Sequence, residues 1–230
     1  MKKYISILVL LVIFIGFLNI NVSTRKGINY KLSTVRLPLY LKLLDFFDRH
    51  YNYSQLVKEI VKGAKTDEER VMSIFKWTNA NIRKVPEGFP IIDDHVWYTI
   101  IRGYGMDDQF SDVFTTLCNY SGRTAFYLLL DNKDGAQRIP ISFVEIKGRL
   151  CIFDPYRGVY FEDSNNNLIG IKAIQSGQAW VIRNLGVKPE VDYGSFFLNL
   201  PEIKLDELRR ANIQSPVKRL IFQINKLMRH

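Results

Sequence analysis

Cysteine and histidine are scarce in this chain: its 230 residues carry 2 cysteines and 3 histidines. Two thiols can close a single bridge at most, so no disulfide framework carries the fold. Neither Cys118 nor Cys151 stands in a metal-ligand spacing, and His50, His95 and His230 are far apart in sequence. No metal site and no cofactor are expected from such a pattern. Glycine and proline, at 14 and 8 residues, are too few for a collagen-like or low-complexity chain. Internal repeats are absent, and so is any dense block of one charge. The formal net charge is +9, yet the basic residues are spread, with only short pairs such as Arg209-Arg210 and Lys218-Arg219. No nucleic-acid-binding motif accompanies that charge, so no nucleic acid partner is expected. Attraction to anionic lipid or polysaccharide accounts for it equally well.

What is present is a globular composition, 47% hydrophobic and 24% charged, in a chain long enough for one domain with a real core plus appendages. Residues 1–22 stand apart. Lys2 and Lys3 precede an apolar run from Tyr4 to Val22, broken only by Asn19 and Asn21. A membrane-spanning helix needs about 20 mostly apolar residues, and this run is just long enough. No small-residue cleavage site follows it, as a signal peptide would require. The expectation is a single-pass anchor that meets membrane lipid through residues 4–22. Such a short stub before the run places the domain outside the cytoplasm. A cleaved signal segment and a secreted protein are the alternative.

Residues 23–50 read as a basic juxtamembrane linker, ending near Pro38, and a first helix from residue 39. Residues 51–200 read as the main domain, and 201–230 as a basic amphipathic helical segment with Pro216 at its first position. A second helix is expected to open at Ser54 and stop near Gly63. Thr66 and Glu69 form a capping-box pair, and the helix behind them aligns Val71, Ile74, Phe75, Thr78 and Ile82 on one stripe. From Asp107 the spacing of Phe110, Val113, Phe114, Leu117 and Cys118 predicts a helix with a buried face, closed by Ser121-Gly122. Asp107 is a natural N-cap for it. The period then changes to that of strands over 124–130, 139–146, 149–155 and 158–163, with turns at DNKDG and Lys147-Gly148. Helices first and an antiparallel sheet after them define an α+β fold.

Three stretches now line up. TDEERVMSIFKWTNANIRKV (66–85) is a capped helix. GYGMDDQFSDVFTTLCNYSGRTAFYLL (103–129) is a glycine-led core helix running into a strand. ISFVEIKGRLCIFDPYRGV (141–159) is a pair of strands with an Asp-Pro ending. In this order they resemble the transglutaminase-like, or papain-like thiol, superfamily over residues 54–163. The resemblance implies a catalytic Cys at the start of the core helix, a His on the next strand and an Asp on the strand after. It implies acyl transfer through a thioester, hence transamidation or amide hydrolysis. Residue by residue, the Cys position falls on Asp107, the His position on Ile141 and the Asp position on Asp154. Cys118 lies on the apolar stripe and reads as a core thiol, Cys151 alternates away from Asp154, and His95 reads as a loop or helix-start residue. The expectation is therefore an inactive, membrane-anchored member with a binding or scaffolding role at the cell envelope. Its ligand would be a protein, a peptide or a polysaccharide. Two alternatives stay open: a hydrolase or acyl transferase with altered active-site residues, and a hydrolase built on the Asp107/Asp154 carboxylate pair.

Overall fold

The computed structural model describes residues 2–28, 31–92, 95–186, 190–198, 200, 203, 221, 224, 227 and 228. The chain opens with helix α1 (Lys2–Leu18). Its side chains from Tyr4 to Phe17 are exposed. The single helix expected over 4–22 is not formed. Asn19 donates from its backbone N–H (3.2 Å) and its side-chain amide (2.8 Å) to the Ile15 carbonyl. Bonds from the Asn19 N–H to the Gly16 carbonyl (3.1 Å) and from the Ile20 N–H to the Phe17 carbonyl (3.2 Å) make a final tight turn, and the chain leaves as a strand. At 1.5 Å per residue α1 is roughly 26 Å long, short of the ~30 Å hydrocarbon layer. Among the described residues no helix is long and apolar enough to cross a membrane.

The expected linker is a β-hairpin. Strand β1 (Asn21–Ile28) pairs antiparallel with β2 (Lys31–Pro38), setting Val22 opposite Leu37 and Thr24 opposite Val35. Cross-strand aliphatic and β-branched pairs of this kind stabilise a ladder. The two short helices expected after Pro38 are one helix, α2 (Leu39–Ile60). Ser54 does not cap a new start; its hydroxyl donates to the His50 carbonyl (2.9 Å), one turn back in the same helix. Between Asp48 and Val57 no glycine or proline breaks the run, so continuation costs little.

Helix α3 (Asp67–Asn81) follows with the expected capping box. Thr66 Oγ1 accepts from the Glu69 N–H (3.1 Å), and the Glu69 carboxylate accepts from the Lys65 and Thr66 N–H groups (2.6 and 3.3 Å). Those two backbone bonds hold the Glu69 carboxyl below its usual range. The next elements are β3 (Arg83–Lys84), α4 (Val96–Arg102) and β4 (Tyr104–Gly105), with β3 and β4 paired in parallel. Helix α5 (Asp107–Tyr120) then packs on β5 (Ala125–Asp131) and β6 (Arg138–Ile146). The sheet continues through β7 (Arg149–Asp154) and β8 (Val159–Glu162); α6 (Ile171–Gln175) intervenes before β9 (Val181–Asn184), and α7 (Gly194–Phe197) follows. Its order is β5-β6-β7-β8-β9, an antiparallel meander.

Alternation along the strands gives the sheet two apolar faces. Val144, Ile146, Cys151 and Phe153 face the helices and pack with Phe75, Phe110, Val113, Phe114, Leu117 and Cys118. Ile139, Ile141, Phe143 and Ile152 face the other way and pack with Ile171, Ile174, Tyr193, Phe196 and Phe197. The stripe expected on α5 is therefore buried in full, at about 1.5–3 kcal/mol per large side chain. The expected C-terminal helix, with Arg209-Arg210, Pro216, Lys218-Arg219 and His230, lies outside the described residues, apart from Ile221, Ile224, Leu227 and Met228, which are helical and exposed.

Candidate functional site

The start of α5 is fixed from both sides. Gly103 ends α4 with φ +70°, a left-handed conformation that glycine adopts without strain. Gly105 then passes so close to α5 that an added Cβ would meet Gln109 Cβ at 3.0 Å and Thr99 Cγ2 at 3.1 Å. Gln109 ties the turn down: its Oε1 accepts from the Met106 N–H (3.0 Å) and its Nε2 donates to the Ile92 carbonyl (2.7 Å). The N-cap is Met106, in extended backbone, and Asp107 is the first helical residue. The expected capping role of Asp107 is thus shifted by one position. Its Oδ1 accepts from the Asp108 N–H (2.9 Å), and its negative charge suits the positive end of the helix.

Asp154 ends β7 and is 0% exposed. Its oxygens are enclosed. Oδ1 accepts from the Arg157 N–H (3.1 Å), and Oδ2 accepts from the Arg157 guanidinium (2.9 Å) and from the Tyr193 hydroxyl (2.9 Å). Burial of the Arg157 guanidinium opposes its charge, but the Asp154 charge and hydrogen bond outweigh burial and hold its proton more tightly than usual. Tyr193 and Asp107 contribute in the same direction. Burial first, and the Asp154 charge second, push the Tyr193 hydroxyl well above its ordinary range, so it serves as a donor only.

Ile141 is 0% exposed and lies in the second apolar cluster. The β6–β7 ladder pairs Ser142 with Phe153, and one step further along sit Ile141 and Asp154. Of the three expected positions, Ile141 and Asp154 adjoin on the sheet, in β6 and β7. Asp107, at the start of α5 on the other sheet face, is linked to Asp154 through Arg157, which its charge reaches.

Residues that the sequence reading did not single out complete the surroundings. Tyr156 meets Phe110, one turn into α5, edge-on at 5.3 Å. Its ring carries Lys84 Nζ at 4.5 Å and the Arg157 guanidinium at 5.6 Å. Lys84 reaches it because β3 pairs with β4, setting Lys84 beside Gly105. Gly158, at φ +65°, lets the chain turn tightly against Asn79; a Cβ there would stand 2.8 Å from Asn79 Oδ1. The Tyr-Arg-Gly sequence after Asp154-Pro155 was a local signal for this turn. Tyr193 comes from 39 residues away and left none.

The thiols and imidazoles lie elsewhere. Cys118 and Cys151 are free and buried. Burial raises the Cys118 thiol well above its ordinary value and pushes Cys151 up to about 12. Cys151 Sγ faces the Leu168 carbonyl (3.9 Å), on the sheet face away from Tyr193. His95 caps α4, with Nδ1 accepting from the Trp97 N–H (3.4 Å) and 3.5 Å from the Tyr53 hydroxyl. Tyr53 in turn stacks on Tyr120, the last residue of α5. His50 bonds the same Tyr120 (2.9 Å). Both imidazoles thus belong to the end of α5 opposite Asp107. Among the described residues no group of three His, Cys, Asp or Glu side chains could hold a metal ion.

Residues 54–145 match the transglutaminase-like superfamily. Over that stretch the chain is similar to a transglutaminase-like domain. Asp107 and Ile141 fall inside the matched stretch; Asp154, Arg157 and Tyr193 lie beyond it. No curated protein matches the chain. Among solved structures, a candidate cysteine protease from Cytophaga hutchinsonii is 16% identical with a TM-score of 0.40, over 63% of this chain and 56% of that one. A candidate protease from Parabacteroides distasonis is 10% identical with a TM-score of 0.38, over 58% and 35%. A structure described as a TGase is 12% identical with a TM-score of 0.38, over 58% and 43%. This chain thus spans between 35% and 56% of the length of these structures.

Proposed function

We propose that the transglutaminase-like domain is a pseudoenzyme that binds a ligand at the cell envelope without turning it over. The observation that carries this reading is the closed cage around Asp154. Thioester chemistry needs a thiolate at the start of the core helix and an imidazole that moves a proton. Here Asp107 stands at the thiolate position and Ile141 at the imidazole position. An aliphatic side chain cannot titrate, and both available thiols are buried in the core between α5 and the sheet, on the face opposite Asp154. The carboxylate that would orient an imidazole is taken up by Arg157 and Tyr193 instead. The same cage argues against Asp107 and Asp154 acting as an acid–base pair, because Asp154 is buried and already paired.

What the region still offers is recognition. Lys84 and Tyr156 present a cation and an aromatic face beside the α5 terminus, with Arg157 against the same ring but paired to Asp154. Such groups suit an acidic or aromatic feature of a protein, peptide or polysaccharide. The exposed apolar helix α1 associates the chain with lipid, with the domain outside the cytoplasm.

The full-length chain should show no transamidation, no amide hydrolysis and no covalent capture of a thiol-directed amide analogue. Capture by the parent protein, lost on Cys118→Ser or Cys151→Ser, would overturn the proposal. Asp107→Cys combined with Ile141→His restores the missing groups but leaves Asp154 engaged. Adding Tyr193→Phe frees one acceptor site on Asp154 Oδ2, an oxygen that Arg157 still bonds, and capture should rise at that step. Lipid association is checked separately by resistance of the native chain to alkaline extraction from membranes.

A further inference from the structure

Helix α2 has two apolar faces, and only one belongs to the domain. Tyr53 and Val57 are buried against it. Tyr40, Leu44, Phe47 and Tyr51 are exposed, three of them strongly: Leu44 60%, Phe47 56% and Tyr51 62%. At about 100° per residue these four fall within an arc of roughly 60°, turned about 110–150° around the helix from the buried Val57 and Tyr53. Leu41 and Leu43 add to the exposed surface. Asp48 and Asn52 border the stripe and bond to each other (3.1 Å). A single exposed apolar residue needs no explanation, but a stripe two to three turns long does.

Two features beside the stripe indicate what covers it. The first is continuity with α1. The Leu39 N–H donates to the Ile20 carbonyl (2.9 Å), and Lys42 Nζ donates to the Ser23 carbonyl (2.8 Å). The end of α1, the base of the β1–β2 hairpin and the first turns of α2 therefore meet. The second is charge. The hairpin contains Arg25, Lys26, Lys31 and Arg36 and no acidic residue. Apolar and aromatic side chains beside an all-basic segment match the boundary between acyl chains and anionic headgroups.

We infer that the Tyr40–Leu44–Phe47–Tyr51 stripe of α2 lies on an anionic lipid surface, with the hairpin at headgroup level, and so sets the domain's orientation to the membrane. The inference rests on the reading that α1 associates with lipid. It adds that the chain makes a second, in-plane contact, one that an anchor on a free linker would lack.

The test uses the full chain reconstituted in vesicles of phosphatidylcholine with and without phosphatidylglycerol. Cys118 and Cys151 are buried, so a nitroxide can be placed selectively at Phe47→Cys or Tyr51→Cys. Val9→Cys on α1 and the exposed Asp134→Cys in the β5–β6 turn serve as references. In the anionic vesicles the labels at 47 and 51 should collide more with oxygen than with a water-soluble nickel chelate, and the label at 134 the reverse. Arg36→Gln should lower the docked-to-undocked ratio about fivefold, the worth of one basic residue at such a surface. If position 9 is in lipid while 47 and 51 are in water, this inference fails and the α1 reading stands. If position 9 is in water, both fail. Spin–spin broadening between labels at 47 on different molecules would show a second copy on the stripe and would also overturn the inference.

Discussion

Replacing Arg157 by alanine should destabilise the domain more than any other substitution of a partly exposed residue at the site. Asp154 is 0% exposed and accepts three hydrogen bonds, two of them from Arg157. The backbone bond survives the substitution, and the guanidinium bond and its charge are lost. Removing one partner of a buried ion pair costs about 3–5 kcal/mol. The Arg157 side chain is itself 21% exposed, so water reaches the gap and the lower end, about 3 kcal/mol, applies. For a chain of this size that is a drop of roughly 6–12 °C in midpoint. Tyr193→Phe removes one charge-assisted bond and leaves no cavity, at about 1.5–3 kcal/mol. The assay is thermal unfolding of the full chain followed by circular dichroism. A variant within about 0.5 kcal/mol of the parent, the range of an ordinary surface substitution, would refute the cage as a structural element.

Thr66→Ala should cost about 1 kcal/mol in chemical denaturation, because the Glu69 N–H loses its cap. Glu69 has a lowered carboxyl, so its stabilisation is present above the unfolded pKa and lost as pH falls through the folded one; Glu69→Gln should flatten that acid limb of the stability profile. Gly105→Ala should destabilise by about 1–3 kcal/mol, since its Cβ would crowd Gln109 and Thr99. Native protein at pH 8 should resist alkylation at Cys118 and Cys151 for hours, both being buried with raised pKa values, and mass spectrometry should show full labelling only after unfolding.

Much of the core was legible because its signals are local. The α5 stripe, the Thr66–Glu69 capping box and the alternating strands each follow from a period or a pair a few residues apart. The misreadings have physical causes as well. Ser54 looks like a helix start, but serine also back-bonds to the carbonyl one turn earlier, and here it does. The hairpin over 21–38 looks like a linker because its strands carry Ser, Thr, Arg and Lys rather than a continuous apolar face. The first helix looks long enough to span a bilayer, but it ends at Leu18 in a tight turn, and the apolar run continues from Asn21 as a strand. Helix α4 has 7 residues, too few for a periodic pattern to stand out. Asp107 was placed one residue off because a carboxylate suits both the cap and the first turn; Gln109 decides between them by bonding Met106.

The site adds a point that no local pattern could carry. A carboxylate at the end of β7 is buried whatever stands beside it, and a buried charge without partners is costly. An imidazole on the neighbouring strand would meet that need and leave the charge available for chemistry. With isoleucine at 141 the need remains, and it has to be met from elsewhere. Arg157 meets it from the turn that directly follows, and Tyr193 from a segment 39 residues on. Both partners are permanent donors at neutral pH, so the arrangement satisfies Asp154 without letting a proton move. The aliphatic residue at 141 and the cage around Asp154 are then two parts of one structural solution. Restoring a histidine alone would set an imidazole against a carboxylate whose oxygens are already committed.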